Sequence, residues 1–335
     1  MAAPLPFFDA RSDGLIPPPF SAPDWAAVYH LQTLHRKMEP FVNNTPYSKY
    51  ANYGGPWIEN RWIDAFWDRI NHPESLAQTF RGYLPLLLPW NDIWLNNRYR
   101  YPKAFVRTLL QMLQSNRTYI TVSQNDQGIV GKAEFALPTN IFVLSAGGYG
   151  HAPIPLLARE HFSKSDRKNR EHRICFIGRS ETAPHGLRTR TLAAVTRHFP
   201  ENERFIAASV ARYDERLGRC VFALAPRGYG RTSFRLAETI AVGTLPVYIY
   251  SDIAWIPYRT LYDQFGFAAS SSELDDVLRR IRHMGDEEIR LRQAKLAEFA
   301  HMWTYNETLS QIGLFLQGRG LLEKVGLPHS IRDAG

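Results

Sequence analysis

The stretch "FALAPRGYGRTSFRLAETIAVGTLPVYI", residues 222 to 249, constrains the fold more than any other. An apolar run ends at Pro226, a loop rich in glycine and arginine follows, and a helical pattern leads back into a second apolar run. Thr232 or Ser233 can cap that helix, and Gly243 sits where a C-terminal glycine belongs. Strand, loop, helix and strand in so short a span read as a parallel crossover, hence an α/β sheet covered on both faces. In such a unit the helix N-terminus points free N–H groups and a positive dipole end at the crevice beyond the strand ends.

The triplet Gly228-Tyr229-Gly230 would let a phosphate approach the backbone, with Arg227, Arg231 and Arg235 adding charge. No Gly-Lys-Ser/Thr follows, so this is not a Walker loop, and the dinucleotide fingerprint lacks its third glycine and distal acid. Glu238 lies too deep in the helix for a capping box. Two roles fit it: an ion pair with Arg235 one turn earlier, or a grip on the ribose hydroxyls of a nucleotide whose diphosphate rests on the helix end.

The same alternation runs through the chain. In the N-terminal half, "ENRWIDAFWDRIN" places Trp62, Ile63, Phe66, Trp67 and Ile70 on one helical face. "YLPLLLPW" reads as a buried strand followed by a loop, "KAFVRTLLQMLQSN" as a helix, and "TYITVSQ" and "NIFVLSA" as strands. The polar segment 159 to 173 is the best linker, after which strands at "RICFIG", "RFIAAS", "CVFALAP" and "LPVYIY" alternate with helices. With 335 residues, 44% of them hydrophobic, two cores are expected: an N-terminal Rossmann-like domain over 1–165 and a C-terminal one over 166–335, whose last helix can pack back on the first.

A net charge of +8 suits an anionic ligand, and the preference for Arg over Lys suits bidentate recognition of phosphate or carboxylate. No nucleic-acid module accompanies that charge, so nucleic acid is not an expected partner. No run approaches the ~20 apolar residues of a membrane span, so membrane insertion is not expected either. Cys175 and Cys220 lie in or beside apolar runs and read as buried thiols, with a single disulfide as the alternative and no metal site.

Quoted together, "FALAPRG", "SFRLAE", "GTLPVYIYSD" and "IPY" resemble the C-terminal motif of the exostosin-like glycosyltransferases, family 47. "CFIGR" with "LRTR" resembles the same family's Phe-x-Gly strand and following arginine, and "GGPWIENRWIDAF", "LPLLLPWNDIW" and "GYGHAPIPLL" resemble its N-terminal half more loosely. The likeness covers roughly residues 45 to 310. It implies a GT-B fold, two Rossmann-like domains facing a central cleft, and inverting transfer of a sugar from a UDP-sugar to a glycan or glycoprotein acceptor. Xylose, galactose and glucuronic acid are the donor sugars it implies. By the motif, Ser233 and Arg235 would hold the diphosphate, Glu238 the ribose, and Arg188 would add charge at the leaving group. No Asp-x-Asp triplet occurs, so no metal cofactor is expected. The family's opening strand is not recognisable before residue 45, which bears on the topology of the N-terminal domain; its Golgi anchor is not recognisable either, and that predicts a cytoplasmic or otherwise soluble protein as written.

An inverting displacement needs a base near the acceptor hydroxyl. Asp126, after "TYITVSQN", is the first candidate, with an ordinary Asx turn as its alternative role. His151, after "LSAGGYG", is the second. Trp57, Glu59, Trp90 and Asp92, with Trp94, lie in aromatic surroundings suited to stacking on an acceptor sugar, although such tryptophans also build cores. The competing reading is a non-catalytic sugar-nucleotide or glycan-binding partner of an active transferase.

Overall fold

The computed structural model describes residues 16–42, 58–131, 135–157 and 170–322. They divide into two compact units, one comprising the residues up to Ile154 and again from Leu309, the other Pro155–Thr308. Each is a mixed α/β unit with a parallel sheet.

The first unit begins with α1 (Trp25–Val42), α2 (Ile58–Phe66) and α3 (Pro73–Phe80), then β1 (Tyr83–Pro85), α4 (Trp90–Asn96), α5 (Lys103–Met112), β2 (Thr118–Ser123), β3 (Ile141–Ser145) and β4 (Ala152–Pro153). The strands stand in the order β1-β2-β3-β4. In α1, Ala27, Val28, Leu31, Leu34 and Met38 recur at helical spacing and are buried, and the Asp24 carboxylate accepts the Ala27 N–H at 3.0 Å as a cap. His35 on the same face is fully satisfied: its Nδ1 bonds the Leu31 carbonyl at 2.9 Å and its Nε2 accepts the Leu87 N–H at 3.1 Å. Burial pushes its imidazole down to about 4.

Two local expectations change here. The strand expected over "YLPLLLPW" ends at Pro85, and Trp90 opens a helix rather than a loop, because Pro89 precedes it at the helix cap and cannot continue a ladder. Trp67 is exposed, because α2 tightens into a 3-10 turn over Trp67–Ile70 and the helical phase shifts. Parallel strands β3 and β4 follow one another without a helix, the chain looping back through residues 146–151, with Gly150 so close to β3 that a Cβ would lie 2.8 Å from the Val143 carbonyl oxygen.

The second unit runs β5 (His172–Ile177), α6 (Leu187–His198), β6 (Arg204–Ala207), α7 (Tyr213–Gly218), β7 (Cys220–Pro226), α8 (Phe234–Val242), β8 (Leu245–Tyr250), α9 (Arg259–Tyr262), β9 (Phe267–Ser270), α10 (Leu274–His283) and α11 (Asp286–Phe299). A final helix, α12 (Tyr305–Leu316), returns the chain to the first unit, where Phe315 packs on Phe142 of β3 at 5.2 Å between ring centroids. The second sheet has the order β6-β5-β7-β8-β9. From β5 the chain builds outward to β6, then returns to the other side of β5 and builds outward through β7, β8 and β9. Right-handed crossovers therefore put α6 on one face, where it meets α10, and α7 and α8 on the other, where they meet each other. The direction of building reverses between β5 and β7, the place where open α/β sheets bind ligands.

Cys175 of β5 and Cys220 of β7 correct a further expectation. Their Cα atoms are 6.0 Å apart and they form a disulfide, not two thiols. Adjacent parallel strands bring them within bridging distance although 45 residues separate them in sequence.

Candidate functional site

The elements around the β5/β7 reversal form as the sequence pattern suggests. Ser233 is the N-cap of α8, its hydroxyl accepting the Arg235 N–H at 3.3 Å, and Gly243 ends the helix in the left-handed region at φ 86°. Arg188 lies in the first turn of α6, which follows β5, and Arg235 in the first turn of α8, which follows β7.

The two arginines cross. From the helix after β5, Arg188 reaches the end of β7, donating through Nε to the Arg227 carbonyl at 3.1 Å and through Nη2 to the Pro226 carbonyl at 3.3 Å. It also donates to the Arg179 carbonyl at 3.0 Å and to the Thr182 hydroxyl. From the helix after β7, Arg235 reaches the end of β5, donating through Nε to the Ile177 carbonyl at 2.8 Å and lying 4.7 Å over the Phe176 ring. Its Nη1 is buried with no hydrogen-bond partner among the described residues. Gly178 admits this: its φ is +150°, and a Cβ there would sit 1.9 Å from the guanidinium.

Glu238, one turn further along α8, is half-buried. Tyr213, the first residue of α7, donates its hydroxyl to Oε2 at 2.7 Å. The ion pair with Arg235 that the sequence also allowed is not formed; the Arg235 side chain is engaged at the end of β5 instead.

The donor loop is braced from within. Arg227 and Arg231 do not stand ready for a ligand: both pair with Asp252 after β8, at 2.6 and 2.7 Å. Burial works to raise the Asp252 carboxyl, and the two guanidiniums outweigh it and hold it below its ordinary value. Arg227 also donates to the carbonyls of Gly230 at 2.8 Å and Tyr229 at 3.1 Å, so it braces the loop from inside. Gly228 and Gly230 are not in the left-handed region, and a Cβ at Gly228 would make only ordinary contacts, 3.6 Å at nearest. Tyr229 is 66% exposed at the loop tip. Gly178, Tyr213 and Asp252 are the residues that sequence reasoning left without a role. Gly178 carried a signal in "CFIGR" and Asp252 in "YSD"; Tyr213 carried none.

In the first unit, the carboxyl ends of β1 and β2 gather a different set. Glu59, 1% exposed, accepts the N–H of Gln124 at 2.6 Å and of Asn91 at 2.7 Å. Burial pushes its carboxyl up to about 8, against the pull of those two N–H groups, and the charge of Asp92 adds to the rise. Asp92 is buried and accepts from the Asn60 amide at 3.3 Å. Gln124 and Asn125 are buried at the end of β2, and the Nε2 of one and the Nδ2 of the other have no hydrogen-bond partner among the described residues. The turn that follows is an Asx turn, but Asn125 makes it, accepting the Gln127 N–H at 2.9 Å. Asp126 is left exposed at the tip.

The remaining candidates move away from the role expected of them. His151 accepts the Val143 N–H on Nδ1 at 2.9 Å and stacks on Phe142 at 5.0 Å. Its Nδ1 is thus engaged by the strand it follows. Trp90 and Glu59 are buried too deeply for sugar stacking: the Trp90 ring is fully enclosed, its indole donating to the Thr121 hydroxyl at 2.8 Å. Trp94 is half-buried against Tyr99 at 5.1 Å between ring centroids. Trp57 lies outside the described residues.

No family model matches this chain, and no curated protein matches it. Among solved structures, the crystal structure of TarM is similar over 58% of this chain and 42% of that chain, at 12% identity and a TM-score of 0.37. The match thus spans less than half of the TarM chain. Among the described residues no helix is long and apolar enough to cross a membrane.

Proposed function

We propose that the β5/β7 edge binds a nucleotide-sugar donor and that the chain is an inverting glycosyltransferase of the exostosin-like kind. The observation that carries this reading is the crossed pair, Arg188 and Arg235, at the reversal of the second sheet. Two guanidiniums beside the capped N-terminus of α8 supply positive charge where a departing diphosphate gathers negative charge. Glu238 on the same helix offers carboxylate oxygen to ribose hydroxyls.

In the reaction, an acceptor hydroxyl oxygen forms a bond to the anomeric carbon as the bond from that carbon to the diphosphate oxygen breaks. The electron pair leaves with UDP, and the acceptor proton passes to a carboxylate. Asp126 is the carboxylate we assign to that step, being exposed at a strand end of the first unit. The buried amides of Gln124 and Asn125 beside it suit the hydroxyls of a glycan acceptor. The diphosphate is stabilised by side chains and helix end, so no metal is required.

The test is release of UDP from UDP-xylose, UDP-galactose and UDP-glucuronic acid, with and without EDTA, by wild type and Glu238→Ala. Release from one donor, unaffected by EDTA and lost in the variant, is the expected result. Absence of UDP binding by calorimetry would overturn the donor site. Binding without release in the presence of glycan acceptors would instead make the chain the non-catalytic partner of an active transferase.

A further inference from the structure

Tyr213 is the hinge between the core of the second unit and its candidate ribose-binding carboxylate. Its ring packs against the buried cluster of Cys175, Ile177, Leu217, Cys220, Ala223 and Val242, and its hydroxyl donates to Glu238 Oε2 at 2.7 Å. The backbone aims it there: Arg212 just before it takes φ 52°, turning the chain directly into α7.

We infer, on the donor-site reading of the β5/β7 edge, that Tyr213 positions Glu238, orienting its carboxylate so that Oε1 meets the ribose hydroxyls of the nucleotide. An unsupported glutamate on α8 would sample several rotamers and lose that freedom on binding. The Tyr213 hydroxyl takes one lone pair of Oε2 and fixes the plane of the carboxylate. The phenol is a dependable donor, because burial and the Glu238 charge raise its pKa, and the nearby Arg235 guanidinium only partly opposes them. Ribose recognition is thereby tied to the β5/β7 pair whose ends Arg188 and Arg235 reach.

The experiment is calorimetric titration with UDP and with 2′,3′-dideoxyuridine diphosphate, on wild type, Tyr213→Phe, Glu238→Ala and the double variant. Wild type is expected to favour UDP by about tenfold or more, the value of a hydrogen bond to a charged group. Tyr213→Phe should lose about five- to tenfold in UDP affinity, hold its affinity for the dideoxy nucleotide, and add no loss on the Glu238→Ala background. Unchanged UDP affinity in Tyr213→Phe would overturn the positioning role. So would an equal loss for both nucleotides, or an additive loss in the double variant, since these report damage to the fold. Wild type that binds neither nucleotide would overturn the donor-site reading itself, and the role of Tyr213 with it. Should Tyr213→Phe fail to fold, Tyr213→Met keeps apolar volume without a donor and bears the same comparison.

Discussion

The two parallel sheets end in opposite chemistries. At its reversal point the second sheet has strand-end carbonyls held by arginines, and a glutamate on the helix that follows. The first sheet, built outward in one direction from β1 to β4, ends in carboxylates and amides: Glu59, Asp92, Gln124, Asn125 and Asp126. Cationic groups at a strand end suit a polyanion, whereas carboxylates and amides suit neutral hydroxyl groups that both donate and accept. A similar backbone arrangement thus supports two recognition chemistries, and side chains at the strand ends decide which.

The comparison breaks most sharply at Asp126. If the first edge carries the base, Asp126→Asn should lower turnover by about 10²–10⁴-fold and leave UDP affinity as in wild type. Turnover unchanged in Asp126→Asn removes the base from that edge. Arg188→Ala should act on the other edge, weakening UDP by about 10- to 100-fold in calorimetry, the range for a charged hydrogen bond. It should also destabilise the second unit by about 1–3 kcal/mol, since it withdraws the donors from the buried Pro226 and Arg227 carbonyls. A loss of stability without loss of UDP affinity would make the crossed arginines a structural brace.

How much of this the sequence disclosed depended on how local each feature is. The unit from β7 to β8 was legible nearly residue by residue, because cap, terminating glycine and apolar runs are short-range signals that tertiary context did not override. Arg188 and Arg235 were found through the motif, but their crossing was not, since it depends on β5 and β7 being neighbours in space. Arg227 and Arg231 looked available for a phosphate for the same reason: their partner, Asp252, lies beyond β8, and only the folded sheet brings it back. Tyr213 sits in an ordinary polar helix start, and nothing about its neighbours betrays a bond to a residue 25 positions on. The disulfide was left open for want of a register between two strands. The engaged nitrogen of His151 and the depth of the Trp90 ring were not legible, because a strand-end position in sequence fixes neither.

The disulfide makes the next test, because it staples the sheet of only one unit. Closing a segment of 45 residues, it should stabilise the second unit by about 2–4 kcal/mol. Dithiothreitol, or replacement of Cys175 and Cys220 by alanine, should lower the unfolding transition of that unit and leave the transition of the first in place. Hydrogen exchange resolved by peptide would separate them. A shift of both transitions together would show that the units do not unfold independently.

The smallest effect expected is a pH slope in the first unit, and its sign can be derived. Glu59, raised from 4.5 to about 8, keeps its proton in the folded protein over a range where the unfolded chain has lost it. Its contribution therefore falls as pH rises through that range, by about 1.4 kcal/mol per pH unit. His35 works the other way. Lowered from 6.5 to about 4, it stays neutral in the fold while the unfolded chain takes up a proton, so its contribution falls as pH drops through that window. Between about pH 4.5 and 6.5 the two slopes oppose each other, and from about 6.5 to 8 only that of Glu59 remains. Urea titrations should accordingly find the first unit losing stability from pH 6.5 to 8. In Glu59→Gln that slope should vanish, at a constant cost of about 1–3 kcal/mol, because an amide cannot accept from both the Gln124 and Asn91 N–H groups. A slope that persists in Glu59→Gln would mean that the two N–H donors hold the carboxylate ionised despite its burial, and that the first edge is anionic throughout the neutral range.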